Sequence, residues 1–106
     1  MKKIIALKIH RDDDVATMFM EARPGCEVCV RGLDGQTSGS IDVMERVPAG
    51  HKIALRNIKI GQQIKKYGVV IGRATDAITK GSLVDIRNVE SQRGRGDQIA
   101  GQSSPY

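Results

Sequence analysis

A histidine followed by a lysine stands directly behind a Pro-Ala-Gly turn in the stretch VPAGHKIALRNIKIG, Val47 to Gly61. Both residue types could do chemistry. An imidazole accepts and returns protons near neutral pH or binds a metal, and is the usual general acid or base. An ammonium beside it suits a carboxylate as a point charge. Ile64 to Gly68, IKKYG, adds Lys66 and the phenol of Tyr67 just before another glycine. Lys52, Arg56, Lys66 and Arg73 could line one side of a shallow anion site, with the Tyr67 hydroxyl orienting the ligand. Each has a plainer reading beside it: an end-capping histidine, or a solvated surface cation.

The elements that must carry these residues are short strands. If HKIAL is a strand, His51 shares a face with Ile53 and Leu55, and Lys52 shares the other with Ala54 and Arg56. The apolar pair belongs inside, which predicts His51 at the rim of the core. Glycines punctuate the chain, and three stretches repeat a spacing: Arg23-Pro24-Gly25-Cys26-Glu27-Val28, Lys59-Ile60-Gly61-Gln62-Gln63-Ile64 and Thr79-Lys80-Gly81-Ser82-Leu83-Val84. A glycine at a fixed offset before an apolar residue predicts a tight turn with positive φ, then re-entry into a strand. The expected strands are 3–9, 27–31, 40–44, 52–57, 63–65, 69–73 and 83–89, an all-β domain. Partial alternation in IIALKIH and KIALRNI predicts sheets with one wet face. DDDVATMFMEA fits either a short helix capped by Asp14 or an extended segment turning at Pro24-Gly25, with the extended form favoured. LDGQTSGS reads as an exposed hairpin tip. Residues 1–89 form the predicted domain, and 90–106 read as a mobile polar tail containing RGRGD.

The totals exclude several classes of function. The chain has 106 residues, enough for one domain with a thin core of Ile, Val, Leu, Ala and Met. There is no Trp, one Phe and two Tyr, too little to wall a deep catalytic cleft alone. Any chemistry here is expected to need a partner. The net charge of +5 is spread along the chain, and Phe19, Tyr67 and Tyr106 have no spacing for base stacking, which argues against nucleic acid. The apolar run after the first two lysines ends at Lys8, short of the about 7–15 residues of a secretory segment. No run reaches the roughly 18 residues of a membrane span. A soluble cytoplasmic protein is expected. Cys26 and Cys29 form CEVC on a predicted strand, where residues three apart face opposite ways. A redox pair or a zinc site completed by His10 and His51 is therefore disfavoured against two reduced, partly buried thiols.

The run VPAGHKIALRNIKIGQQIKKYGVVIGRATDAITKG resembles the SAF-type (β-clip) domain of the altronate and galactarate dehydratases. It is similar also to stand-alone small subunits of related lyases such as sulfolactate sulfo-lyase. The matching residues are Val47, Pro48, Gly50, His51, Lys52, Ala54, Leu55, Ile58, Gly61, Lys66, Tyr67, Gly68, Ile71, Gly72, Ala74, Thr75, Ile78 and Gly81. DDDVATMFMEARPGCEV resembles the Asp-Asn-Val-Ala start of that domain less closely. One departure stands out: where the family commonly has His-Val-His-Asn, this chain has Asp85-Ile86-Arg87-Asn88.

The resemblance implies a β-clip fold and a small subunit or N-terminal-type domain of a sugar-acid dehydratase, a hydro-lyase, or of a related carbon–sulfur lyase. Such a component would not be active alone. His51 would be the catalytic acid/base, with Lys52, Lys66, Tyr67, Arg56 and Arg87 contacting a small anionic sugar acid. A larger dehydratase catalytic subunit would be the partner and would carry a divalent, iron-type metal, this chain supplying no metal ligands. A homo-oligomer is compatible with this reading. The Asp85 and Arg87 departures support an alternative, a non-catalytic β-clip module binding an anionic carbohydrate or a protein partner.

Overall fold

A computed structural model describes residues 4–91 of the chain. All regular elements among them are strands: β1 Ile4–Leu7, β2 Val15–Met18, β3 Glu27–Arg31, β4 Thr37–Asp42, β5 Lys52–Ala54, β6 Gln63–Lys66, β7 Val69–Ala74, β8 Leu83–Val84 and β9 Val89–Ser91. Six form one sheet in the order β4-β3-β1-β2-β5-β8, and three form a second in the order β6-β7-β9. The pairing is antiparallel except for β1 with β3, which run parallel. The all-β expectation holds. The RGRGD stretch and the rest of the predicted tail from residue 92 lie outside the described residues.

Two hydrophobic cores share one wall. Ala16, Met18, Ile53 and Leu83 point into the first core, with Ala6, Val28, Val30 and Ile41. Val15, Ala54 and Val84 alternate with them and point into the second, against Ile64, Ile71, Ala74 and Val89 of the small sheet. The three residues of β5 are therefore all buried. The prediction of a wet face on KIALRNI is corrected here: its second face is covered by the β6-β7-β9 sheet. Ile53 and Ile64, each 0% exposed, anchor the two cores, and truncating either to Ala should cost about 2–5 kcal/mol.

The glycine spacing proves more regular than its three copies suggested. Turns Arg23–Cys26, Lys59–Gln62 and Thr79–Ser82 close with N–H to O bonds of 3.1, 3.0 and 3.0 Å, and Pro48–His51 closes the same way at 3.1 Å. Their glycines, 25, 61, 81 and 50, have φ of 93, 86, 92 and 82°, the left-handed value that a type II turn needs at its third position. The residues three before these glycines bridge in two pairs, Ala22 with Val47 and Ile58 with Ile78. His51 is thus the last residue of one of four equivalent turns, each feeding a strand.

Other boundaries differ from expectation for local reasons. DDDVATMFMEA contains a strand, β2, because its alternate residues are claimed by different cores. Thr37–Ser40, expected in a hairpin tip, opens β4: as an edge strand with its first four residues exposed, it has no burial to select apolar side chains. The single strand expected over 83–89 is two, because Asn88 closes a turn between β8 and β9. Its side chain accepts from Asp85 N at 3.0 Å and donates to Leu83 O at 2.9 Å. Strand β9 runs on to Ser91, two residues past the expected end of the domain.

Candidate functional site

The site is built on the rim of the second core, where β5, the β6–β7 hairpin and the turn after β8 meet. Lys52 begins β5 and pairs with Thr17 of β2 and Val84 of β8. It shares the face of Ala54, so its stem leaves water with the core beneath it, and the residue is only 6% exposed. Burial lowers its ammonium from the ordinary 10.5 to about 8. The nearby Lys66 cation pushes the same way, and the Asp85 carboxylate pulls partly back. A lysine ammonium kept here is poorly solvated, so an added carboxylate gains more from it than from a surface lysine.

Lys66 ends β6, and its Nζ lies 4.5 Å from the centre of the Tyr67 ring, a cation–π contact. Tyr67 and Gly68 form the two-residue turn to β7, with φ of 60 and 78°. Both are positive, as a type I′ hairpin requires. A tyrosine in that conformation is unusual and strained by roughly 1–3 kcal/mol, the kind of backbone outlier that clusters at functional sites. The turn presents an exposed phenol beside Lys66.

Behind the hairpin lie two buried carboxylates that the sequence reading took only as a start signal. Asp13, 1% exposed, accepts from Gly68 N at 2.8 Å and from His10 N at 3.0 Å. Asp14, 5% exposed, accepts from Lys65 N at 2.8 Å and from the Arg56 guanidinium at 3.1 Å. Adjacent acids at the mouth of β2 thus fix the hairpin that carries Lys66 and Tyr67. The signal was present in the run Asp12-Asp13-Asp14 directly before a buried strand, where solvated charge is costly without partners.

On the opposite side, Asp85 pairs with Arg87, whose Nε is 3.1 and 3.2 Å from the two carboxylate oxygens. Arg87 N also donates to Asp85 Oδ1 at 3.0 Å. The structure therefore brings Lys52, Lys66, Tyr67, Asp85 and Arg87 to one rim. It sets Arg56 apart, on the groove lined by Asp12, Asp14, Gln62, Gln63 and Lys65. Arg73 stands in register with Gln63 and Glu90, away from this cluster. His51 is exposed in its turn, with Nδ1 3.3 Å from Ala49 O. As a donor there, Nδ1–H leaves the Nε2 lone pair facing solvent. His51 and Lys52 are neighbours in sequence but alternate in face, so they do not converge through the strand itself.

Cys26 and Cys29 are free thiols of intermediate exposure. Among the described residues, no three His, Cys, Asp or Glu side chains are arranged to hold a metal ion. His10 packs against Gly68, where a Cβ would stand 3.0 Å from the ring.

Two linked β-sheets, quasi-repeated glycine turns and a cation-lined rim define a small all-β domain of the SAF, β-clip type. The chain belongs to the altronate/galactarate dehydratase SAF domain family, matching it over residues 4–92. It is 33% identical over 85 residues to altronate dehydratase of Bacillus subtilis, covering 80% of this chain and 16% of that protein. To galactarate dehydratase (L-threo-forming) of Escherichia coli it is 37% identical over 79 residues, 74% of this chain and 14% of that protein. The subunit alpha of (2R)-sulfolactate sulfo-lyase from Chromohalobacter salexigens is 33% identical over 61 residues, 58% of this chain and 65% of that protein. The aligned region is thus about a sixth of the length of the dehydratases.

Proposed function

We propose that this chain is the SAF domain or small subunit of a sugar-acid dehydratase, or of a related carbon–sulfur lyase, and that it lends carboxylate contacts to a larger catalytic part. The observation that carries the reading is the buried Lys52 beside Lys66 and the strained Tyr67, all at positions of the family motif. Dehydration β to a carboxylate begins with loss of the α-proton, and cations at the carboxylate stabilise the negative charge that then develops. Lys52 and Lys66 supply those cations, Tyr67 orients a hydroxyl, and His51 offers an outward Nε2 as proton acceptor. In this reading a divalent metal, where the reaction uses one, is carried by the larger part; among the described residues no three donor side chains are arranged to hold one.

The test is reconstitution. Dehydration of aldonates and aldarates is measured with the larger catalytic part in the presence of this chain or of its His51→Ala and Lys52→Met variants. His51→Ala is expected to lower turnover at least tenfold, the low end of general acid–base catalysis. Unchanged turnover removes His51 from the mechanism.

The Asp85–Arg87 ion pair favours a second reading, a binding module without catalysis. Where the family commonly has two imidazoles, this chain has a carboxylate and a guanidinium already committed to each other. Thermal shifts with aldarates, aldonates and sulfolactate, with no turnover beside a catalytic chain, would support the module.

A further inference from the structure

Another cleft, of about 430 Å³, lies between residues 8–11 and the tip of the β3–β4 hairpin, and Lys52, Lys66 and Tyr67 take no part in it. Hydrogen bonds fix both of its walls. On one side Lys8 N donates to Arg31 O at 2.8 Å, and His10 N donates to Oδ2 of the buried Asp13 at 3.0 Å. Asp13 N returns a bond to His10 O at 3.0 Å, and the His10 ring is seated on Gly68. On the other side Gly32 N donates to Gln36 O and Gly35 N to Gly32 O, both at 3.0 Å. Asp34 Oδ1 closes the tip by accepting from Gln36 N at 2.9 Å. A cleft of this size whose walls are already set needs little reordering to take a small molecule.

The lining selects for negative charge. Lys8 and Arg11 stand in it, and neither has an ion-pair partner among the described residues. Arg31 is in register with Thr37 of the opposite wall, and its Nε is buried with no hydrogen-bond partner. A buried donor left so is rare in native proteins. His10 Nδ1 accepts from Asp12 N at 3.1 Å, so a neutral ring carries its proton at Nε2 and is a donor there. The one carboxylate of the lining, Asp34, already has an oxygen committed to Gln36 N, and Asp12 lines the neighbouring groove instead. Leu33, 70% exposed, gives the cleft an apolar side. We propose that this cleft binds a phosphate monoester carried on a small apolar or aromatic body. Lys8, His10 and Arg11 hold the phosphate, and Leu33 covers the body. Cations that reach a ligand separately suit a group with several charged oxygens better than a single planar carboxylate.

This site stands or falls apart from the dehydratase reading, because its test uses this chain alone and no turnover. The isotope-labelled full chain is titrated with phenyl phosphate and its amide NMR shifts are followed, with inorganic phosphate, phenol and benzoate in parallel arms. The shifts are expected to gather at residues 8–11 and 32–38. Phenyl phosphate should bind roughly tenfold more tightly than inorganic phosphate or phenol, since it alone joins the charge to a ring that loses water. Arg11→Gln and Leu33→Ser, both at exposed positions, should each weaken binding several-fold and leave the rest of the spectrum unchanged. No shifts, shifts centred elsewhere, or full affinity in both variants overturns the site. Phenol matching phenyl phosphate overturns the need for an anion, and inorganic phosphate matching it overturns the part given to Leu33. Benzoate matching it overturns the phosphate assignment in favour of a carboxylate.

Discussion

The carboxylate of Asp13 accepts the backbone N–H of Gly68 at 2.8 Å across 55 residues of sequence. That bond ties the β6–β7 hairpin, and with it Lys66 and Tyr67, to the entrance of β2. Asp13→Ala leaves the N–H groups of Gly68 and His10 without their acceptor, at a cost on the order of 3 kcal/mol. Urea denaturation should show that loss, and binding of anionic ligands should weaken with it. A variant as stable as the parent would mean that the hairpin is held by its core side chains alone.

Lys52 makes stability depend on pH in the alkaline range. Its folded value of about 8 lies below the ordinary 10.5, so between these values the folded chain binds fewer protons than the unfolded one. Stability then rises with pH through this window. Below it the penalty for keeping the ammonium is fully present, at most about 3 kcal/mol. Above it both forms are neutral and the penalty is gone. Denaturation midpoints measured from pH 7 to 10.5 should climb, and Lys52→Met should flatten the slope.

Tyr67 tests whether strain is kept for the ligand. Tyr67→Asn removes an unfavourable left-handed tyrosine, a gain of roughly 1 kcal/mol, and loses an exposed cation–π contact of about 0.5–1 kcal/mol. Stability should therefore change by less than about 1 kcal/mol, while affinity for sugar acids falls several-fold in calorimetric titration. A large loss of stability with unchanged affinity would make the ring a packing element.

Gly81 is the least replaceable of the four turn glycines. At φ 92° a side chain is strained, and a Cβ would collide with the carbonyl oxygen of Asp42. Backbone cannot swing aside as a side chain does, and Met44 N is already bonded to Gly81 O at 2.9 Å. Gly81→Ala should cost more than about 2 kcal/mol. Gly25→Ala, with open space around it, should cost less, and comparing their melting temperatures checks the order.

The strand positions and glycine turns were legible because both follow local rules: alternation, β-branched residues and positive φ. Lys52 was misread as a residue of a wet face because alternation tells which residues share a side and not what lies above it. The β6-β7-β9 sheet that covers it is joined through contacts remote in sequence. Asp13 and Asp14 escaped for the same reason, since their partners Gly68 and Lys65 are more than fifty residues away. Asn88, the one residue shared with the family at the departed histidine segment, is explained by structure: it closes the turn that sets Asp85 and Arg87 in place. The cluster of Lys52, Lys66 and Tyr67 was readable through the family pattern, and the separation of Arg56 from it was not.

Strands β2 and β5, which serve as floor to one core and ceiling to the other, also bind the whole molecule into a single thermodynamic unit. Neither core can melt by itself, because releasing either one strips the other of its wall. Heating should therefore give one calorimetric peak with equal van't Hoff and measured enthalpies, despite two separate apolar clusters.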